Sequence, residues 1–132
     1  MTSSEPVFAA PEESVETQPF WDAARRGVLM IKRCDACAQP HYYPRALCPH
    51  CGSTDTRWEA ATGMGTLYSV SVMRRGPGAP FAIGYVTLDE GPAVVTRIVD
   101  LDVDLLRIGQ RVRVQFTATD GAPVPTFTRV AD

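Results

Sequence analysis

Residues 33–52, "RCDACAQPHYYPRALCPHCG", contain every cysteine of the chain: Cys34, Cys37, Cys48 and Cys51, in two CxxC pairs ten residues apart. A CxxC pair forms a tight knuckle that aims two sulfurs at one point, and two knuckles complete a tetrahedron. Four thiolates satisfy a structural zinc and leave no open position for a substrate, so the motif points to a metal that folds the chain rather than one that activates water. Iron in a rubredoxin-like site is the rival occupant, because a tetrahedral all-sulfur shell also suits iron. Thiol–disulfide exchange fits less well, since redox motifs generally use a single CxxC at a helix start. His41 and His50 lie inside the stretch, but four cysteines already fill the shell, and both read as bystanders.

The surrounding composition is consistent with a reduced thiol cluster. Residues 1–19 hold Glu5, Glu12, Glu13 and Glu16, no basic residue and no apolar run, unlike a secretory signal. A cytoplasmic location, where paired CxxC motifs are more often metal ligands than disulfides, is therefore expected. No apolar segment approaches the roughly 20 residues needed to cross a bilayer, so a soluble protein without membrane contact is expected. The formal net charge is −2, and the 13 basic residues include one lysine, Lys32. That balance offers no broad positive field for nucleic-acid phosphates.

Working outward from the cysteines, residues 1–18 are rich in Ser, Thr, Pro and Glu and read as a flexible acidic tail. Pro19 suits a first helical turn and Gly27 a stop, which predicts a short helix over Pro19–Arg26. Phe20, Ala23 and Ala24 form its expected buried side, with Trp21 projecting elsewhere. The strands "VLMIKRC" (28–34) and "TRWEAAT" (56–62) lead into and out of the knuckles, so helix and ribbon together span 19–62. Tyr42, Tyr43 and Pro44 are read as the ribbon's own packing, and Arg45 as a surface charge.

From residue 63 to 132 the pattern becomes β-segments between turn residues: "GTLYSVSVM" (65–73), "FAIGYVTLD" (81–89), "AVVTRIVD" (93–100), "RVRVQFTAT" (111–119) and "TFTRVA" (126–131). Five strands with a reduced connection, "LDVDLL" (101–106), suggest a small closed barrel of the OB type. The fold class is thus mainly β: a short N-terminal helix, a rubredoxin-like zinc ribbon and a C-terminal five-stranded OB-fold barrel. Tyr68, Phe81, Tyr85, Phe116 and Phe127 alternate with small or apolar residues and read as core positions. Asp89 and Glu90 read as a turn whose carboxylates point apart.

Taken together, Phe20-Trp21, Gly27-Val28-Leu29, the two knuckles bracketing Pro44-Arg45, and Ile108-Gly109-Gln110-Arg111-Val112 resemble the zinc-ribbon plus OB-fold acyl-CoA-associated proteins, long catalogued as a family of unknown function. The match runs from about residue 18 to the end. One departure is Ala38, where the first knuckle commonly continues with glycine, which eases a left-handed turn. The resemblance implies a non-catalytic accessory subunit of a hetero-oligomer. Its partner would be a thiolase-superfamily enzyme (thiolase, lipid-transfer-type aldolase or acyltransferase) or an acyl-CoA hydratase, and it would help to hold the partner's acyl-CoA ester. Degradation of an aromatic or steroid-like acid is the implied setting. On that reading Arg74 and Arg75, in the loop "MRRGPGAPF" (73–81), are the candidates to meet coenzyme A phosphates. A solvated hairpin tip is the plainer reading of the same loop, and Arg25 and Arg26 share that ambiguity.

The competing class is a nucleic-acid-binding module, since ribbons and OB barrels both occur in RNA and single-strand DNA proteins. Such modules need a positive groove with stacking aromatics. An independent acyl-CoA enzyme lacks sequence support: there is no Gly-x-Ser-x-Gly elbow and no cysteine outside the metal set.

Overall fold

A computed structural model describes residues 8–74, 76 and 78–130. Helix α1 covers Gln18–Ala24, with Pro19 in its first turn. The helix ends in a Schellman closure. Gly27, at φ 77°, returns the chain so that its N–H reaches Ala24 O at 2.9 Å and that of Val28 reaches Ala23 O at 3.0 Å.

Strands β1 (Met30–Cys34), β2 (Pro40–His41) and β3 (Thr56–Ala60) form an antiparallel sheet in the order β2-β1-β3. Ile31 pairs with Glu59, and Lys32 with both Trp58 and His41. The two-residue strand β2 was not foreseen; it is too short to show a period. Phe20, Ala23 and Ala24 are buried as expected, but Trp21 is buried too. Tyr43 packs on the side of the helix from which Trp21 projects. The Trp21 ring meets Phe20 at 4.7 Å between centroids and Tyr43 at 6.3 Å.

The second module is built from β4 (Met64–Met73), β5 (Phe81–Leu88), β6 (Ala93–Ile98), β7 (Arg111–Thr117) and β8 (Val124–Arg129). They close in the order β4-β5-β6-β8-β7, and β7 returns to β4. All pairings are antiparallel except β6 with β8, which share the single register pair Ile98 and Phe127. A short 3₁₀ turn, Val103–Leu105, fills the "LDVDLL" connection. This is the expected five-stranded barrel of OB topology. Strand β8 starts two residues earlier than the sequence suggested, with Pro125 opposite Phe116 on β7.

The barrel interior holds Leu67, Val86, Leu88, Val94, Ile98, Val112 and Phe127. Small residues share it. A Cβ on Gly84 would stand 2.8 Å from Leu67 Cδ1 and 3.0 Å from Ser69 O. A narrow barrel alternates small and large inward side chains in this way. That rule corrects part of the sequence reading. Phe127 is core, but Tyr68 is 71% and Tyr85 50% exposed, and Phe81 and Phe116 are only half-buried. Ala82, Gly84 and Val86 are the inward set of β5, so Tyr85 must point out. In β4 a bulge between Leu67 and Ser69 inverts the alternation: Gly65 and Leu67 are buried before it, and the half-buried Val70 and Val72 follow with the opposite parity.

Residues 8–17, within the segment expected to be a flexible tail, contact both modules. Glu13 pairs with Arg25 at 2.9 Å, Glu16 accepts from the Ala46 N–H at 2.9 Å, and the Phe8 ring lies 5.0 Å from the Arg97 guanidinium carbon. Residues 1–7 of that segment lie outside the described residues. Among the described residues no helix is long and apolar enough to cross a membrane.

Candidate metal centre and exposed barrel face

The four cysteines converge as the spacing requires, with their sulfurs all within 4.8 Å of one another. Two internal repeats of one knuckle produce this. Cys34 O accepts from Ala38 N–H at 2.8 Å, and Cys48 O from Gly52 N–H at 2.8 Å. Cys34 N–H donates to Gln39 O at 3.0 Å and Cys48 N–H to Ser53 O at 2.9 Å. The fifth residue of each knuckle is left-handed: Gly52 at φ 80° without strain, Ala38 at φ 66°. At the departure from the family pattern, Ala38, alanine thus adopts the left-handed turn, at the cost of a crowded Cβ.

The donor set fits a tetrahedral thiophilic ion. With Zn–S bonds of about 2.3 Å, the sulfurs of a tetrahedron stand about 3.8 Å apart. Cys34 and Cys51 Sγ are 3.6 Å apart, and Cys37 and Cys48 Sγ 3.7 Å. Backbone N–H groups already point at the sulfurs, from Cys37 to Cys34 Sγ and from His50 to Cys48 Sγ, each at 3.4 Å. Burial pushes the Cys48 thiol up, but the N–H groups of His50 and Cys51 and the adjacent Cys37 and Cys51 sulfurs outweigh it and bring it down to about 7. For Cys51, a backbone hydrogen bond at Ser53 acts downward. The Cys34 sulfur, burial, Cys37 and Cys48 together prevail, and the thiol is pushed up to about 12. Four sulfurs this close ionise together only around a cation.

The histidines stand apart from this cluster. His41 is buried in the ribbon, and its Nε2 accepts from the Arg45 N–H at 3.4 Å; burial lowers its pKa, which keeps the ring neutral. His50 Nε2 lies 3.2 Å from Pro40 O. Tyr42 and Tyr43 pack with Phe20 at 5.9 and 5.3 Å, so this segment is ribbon packing as read. Arg45 is exposed.

The candidate coenzyme contacts separate. Arg74 Nη2 is 2.6 Å from Asp104 Oδ1 in an exposed ion pair, and Arg75 lies outside the described residues. Arg25 is engaged by Glu13. Asp89 forms a two-pronged pair with Arg111 at 2.7 and 2.9 Å, while Glu90 accepts from the Thr62 N–H at 2.9 Å. Those carboxylates do point apart: Asp89 ties the end of β5 to β7 within the barrel, and Glu90 serves the seam between modules.

What the sequence reading missed is an apolar outer face. Tyr68, Ile83, Tyr85 and Val95 are 71%, 36%, 50% and 57% exposed. Tyr85 is directly opposite Val95, and the pairing of Ser69 with Tyr85 brings the bulge residue Tyr68 to the same region. Strict alternation in "FAIGYVTL", anchored on Gly84 as an inward residue, was the signal that could have found it.

Comparison with known proteins covers both modules. Residues 21–57 match the model of the ChsH2 rubredoxin-like zinc ribbon domain, and residues 58–117 that of the ChsH2 C-terminal OB-fold domain. The chain is 33% identical over 125 residues to a probable enoyl-CoA hydratase alpha subunit of Thermomonospora curvata; the alignment covers 90% of this chain and 39% of that protein. The chain therefore spans about two fifths of that relative's length. It is 31% identical over 108 residues to a DUF35 domain-containing scaffold protein of Methanothermobacter thermautotrophicus, covering 76% of this chain and 81% of that one. Among solved structures, the Ltp2-ChsH2(DUF35) aldolase superposes with a TM-score of 0.78 at 31% identity, over 91% of this chain and 98% of that chain. A DUF35 protein of unknown function from Sulfolobus solfataricus, at 10% identity, 76% and 78% coverage and a TM-score of 0.63, shares the fold.

Proposed function

The chain belongs to the DUF35 family, which joins a ChsH2-type zinc ribbon to an OB-fold domain, and we propose that it is a non-catalytic accessory subunit of a thiolase-superfamily enzyme acting on acyl-CoA esters. The observation that carries this reading is the outer face formed by Tyr68, Ile83, Tyr85 and Val95. Four exposed apolar side chains on three adjacent strands are what a docking surface offers, with tyrosines suited to an interface that is apolar at its centre and wet at its rim. The scaffold-protein names of its relatives and the two-component name of the aldolase agree with it.

In this role Cys34, Cys37, Cys48 and Cys51 hold a structural zinc, and the metal shapes the ribbon without entering the reaction. The subunit helps to hold the partner's acyl-CoA, in the degradation of an aromatic or steroid-like acid. Arg74 serves the coenzyme by exchanging its exposed Asp104 partner for a phosphate, with Arg75 beside it in sequence. A cytoplasmic hetero-oligomer is the expected form. A hydratase partner is the second reading, favoured by the name of the Thermomonospora curvata relative.

The test is a tagged pull-down from the native host, with mass spectrometry of the co-purifying protein and metal analysis of the eluate. A thiolase-like protein near equal stoichiometry, with one zinc per chain, is the expected result; a hydratase selects the second reading. Tyr85→Asp should abolish partner recovery while zinc content stays unchanged. Recovery of nucleic acid with ribosomal or transcription proteins instead overturns the subunit reading.

A further inference from the structure

Arg97 lies on β6 in the same outward set as Val95, yet its environment differs from that of the five arginines that form ion pairs. Arg25, Arg33, Arg57, Arg74 and Arg111 each meet a carboxylate. Arg97 makes no ion pair or side-chain hydrogen bond among the described residues, and its Nε is buried without a partner. Its guanidinium carbon instead lies 4.1 Å from the Phe81 ring and 5.0 Å from the Phe8 ring. The rings supply cation–π attraction but no acceptor for the N–H donors. A buried cationic donor left unanswered is costly, and the cost is removed by an anion that accepts from it.

There is room for one. Arg97 lines a cleft of about 430 Å³ with Phe8, Phe81, Phe116, Gln115 and Asp100. It lies where β6 departs from β8, since Ile98 and Phe127 are their one register pair. Its volume falls in the lower range of small-molecule sites, which combine apolar walls with a few placed polar groups. Two features select the ligand. The phenyl walls favour an apolar body, and Asp100, whose carboxylate accepts from the Gln115 amide, places a negative charge on the same wall. A second charge on the ligand would be repelled, so a monoanion is preferred to a phosphate dianion.

We propose that this cleft binds a small organic carboxylate with an apolar or aromatic body, its two oxygens taken by the Arg97 guanidinium. The inference does not rest on the partner reading, because it concerns a site built within this chain. The test is titration of the full-length, zinc-loaded chain with acetate, benzoate and 2-naphthoate, followed by calorimetry and by the ¹⁵N resonance of Arg97 Nε. Benzamide and inorganic phosphate serve as comparison ligands. Affinity should rise along the carboxylate series, benzoate should bind at least tenfold more tightly than benzamide, and the Arg97 Nε signal should shift on binding. Arg97→Gln should weaken benzoate at least tenfold while zinc content and the barrel's spectrum are retained; Arg97→Lys keeps the charge but loses the fork and should also weaken it. Equal binding of benzoate and benzamide to the unaltered chain, no carboxylate binding at all, or phosphate binding more tightly than benzoate each overturns the assignment, whether or not the variants fold.

Discussion

The two modules solve the same problem, keeping a small β-structure folded, by different means. The ribbon is a three-stranded sheet whose middle strand ends on Cys34, and its apolar contribution is the aromatic group of Phe20, Trp21, Tyr42 and Tyr43 together with the buried Leu29 and Ile31. The barrel closes on itself, leaves no long free edge and encloses Leu67, Val86, Val112 and Phe127. A sheet of this size has too little core to stand alone, whereas a closed barrel does not need a metal. Stability is therefore expected to be held locally, by cysteine sulfur in one half and by packed side chains in the other.

The largest effect should come from the metal. Chelating zinc, or replacing Cys34 by Ser, should unfold the ribbon, since structural zinc contributes on the order of 10–16 kcal/mol to such modules. In amide-resolved NMR the signals of Ile31 and Trp58 should lose dispersion while those of Val86 and Val112 keep theirs. Loss of both sets together would show that the shared boundary, rather than each module's own interior, governs folding. The converse experiment is Phe127→Ala, which should cost about 3–5 kcal/mol in chemical denaturation through lost burial and the cavity left behind. Zinc content should be unchanged.

A smaller effect sharpens the comparison within the ribbon itself. Its two knuckles share one hydrogen-bond pattern, but only the second has glycine at the left-handed position. Ala38→Gly should raise ribbon stability by up to about 1 kcal/mol, and Gly52→Ala should lower it by a similar amount. Metal-release rates would register both changes. A destabilising Ala38→Gly would show that the alanine methyl makes a contact worth more than the strain.

The smallest expected effect is electrostatic. Arg33 pairs with Glu59 at 2.9 Å across β1 and β3, and that hydrogen bond holds the Glu59 carboxyl below its ordinary value of 4.5. Because the folded pKa is the lower one, the stabilisation is present above 4.5 and lost as pH falls through the folded value. Glu59→Gln should thus lower the melting temperature slightly at pH 7, with the difference vanishing in acid. A difference that grew in acid would assign Glu59 another role.

Much of this architecture was legible because its causes are local. Cysteine spacing dictates a tetrahedron, Gly27 dictates the helix end, and turn residues separate the strands. The misreadings occur where a neighbour decides. Trp21 is buried with Phe20 and Tyr43 against its ring, and no helical period contains that information. Tyr85 faces out because Gly84 and Ala82 take the inward positions of a narrow barrel, and Tyr68 because it is the bulge residue that follows the buried Leu67. The metal ligands follow from four residues in one stretch, whereas the Arg97 cleft brings together Phe8, Phe81, Asp100 and Gln115 from separate segments.

The bulge at Tyr68 has a consequence for how the chain tolerates changes in length. Strand β4 consists of two half-strands in opposite phase, joined at that residue. Deleting Tyr68 would restore continuous pairing with β5 and a single unbroken alternation, with Val70 and Val72 still facing in and Ser69 and Ser71 still facing out. Adding residues between 74 and 80, beyond the strand's end, would leave every phase intact. Length in this hairpin is therefore buffered at both ends: the one residue lost at the bulge leaves inside and outside as they are, and several gained at the tip change only the reach of the loop.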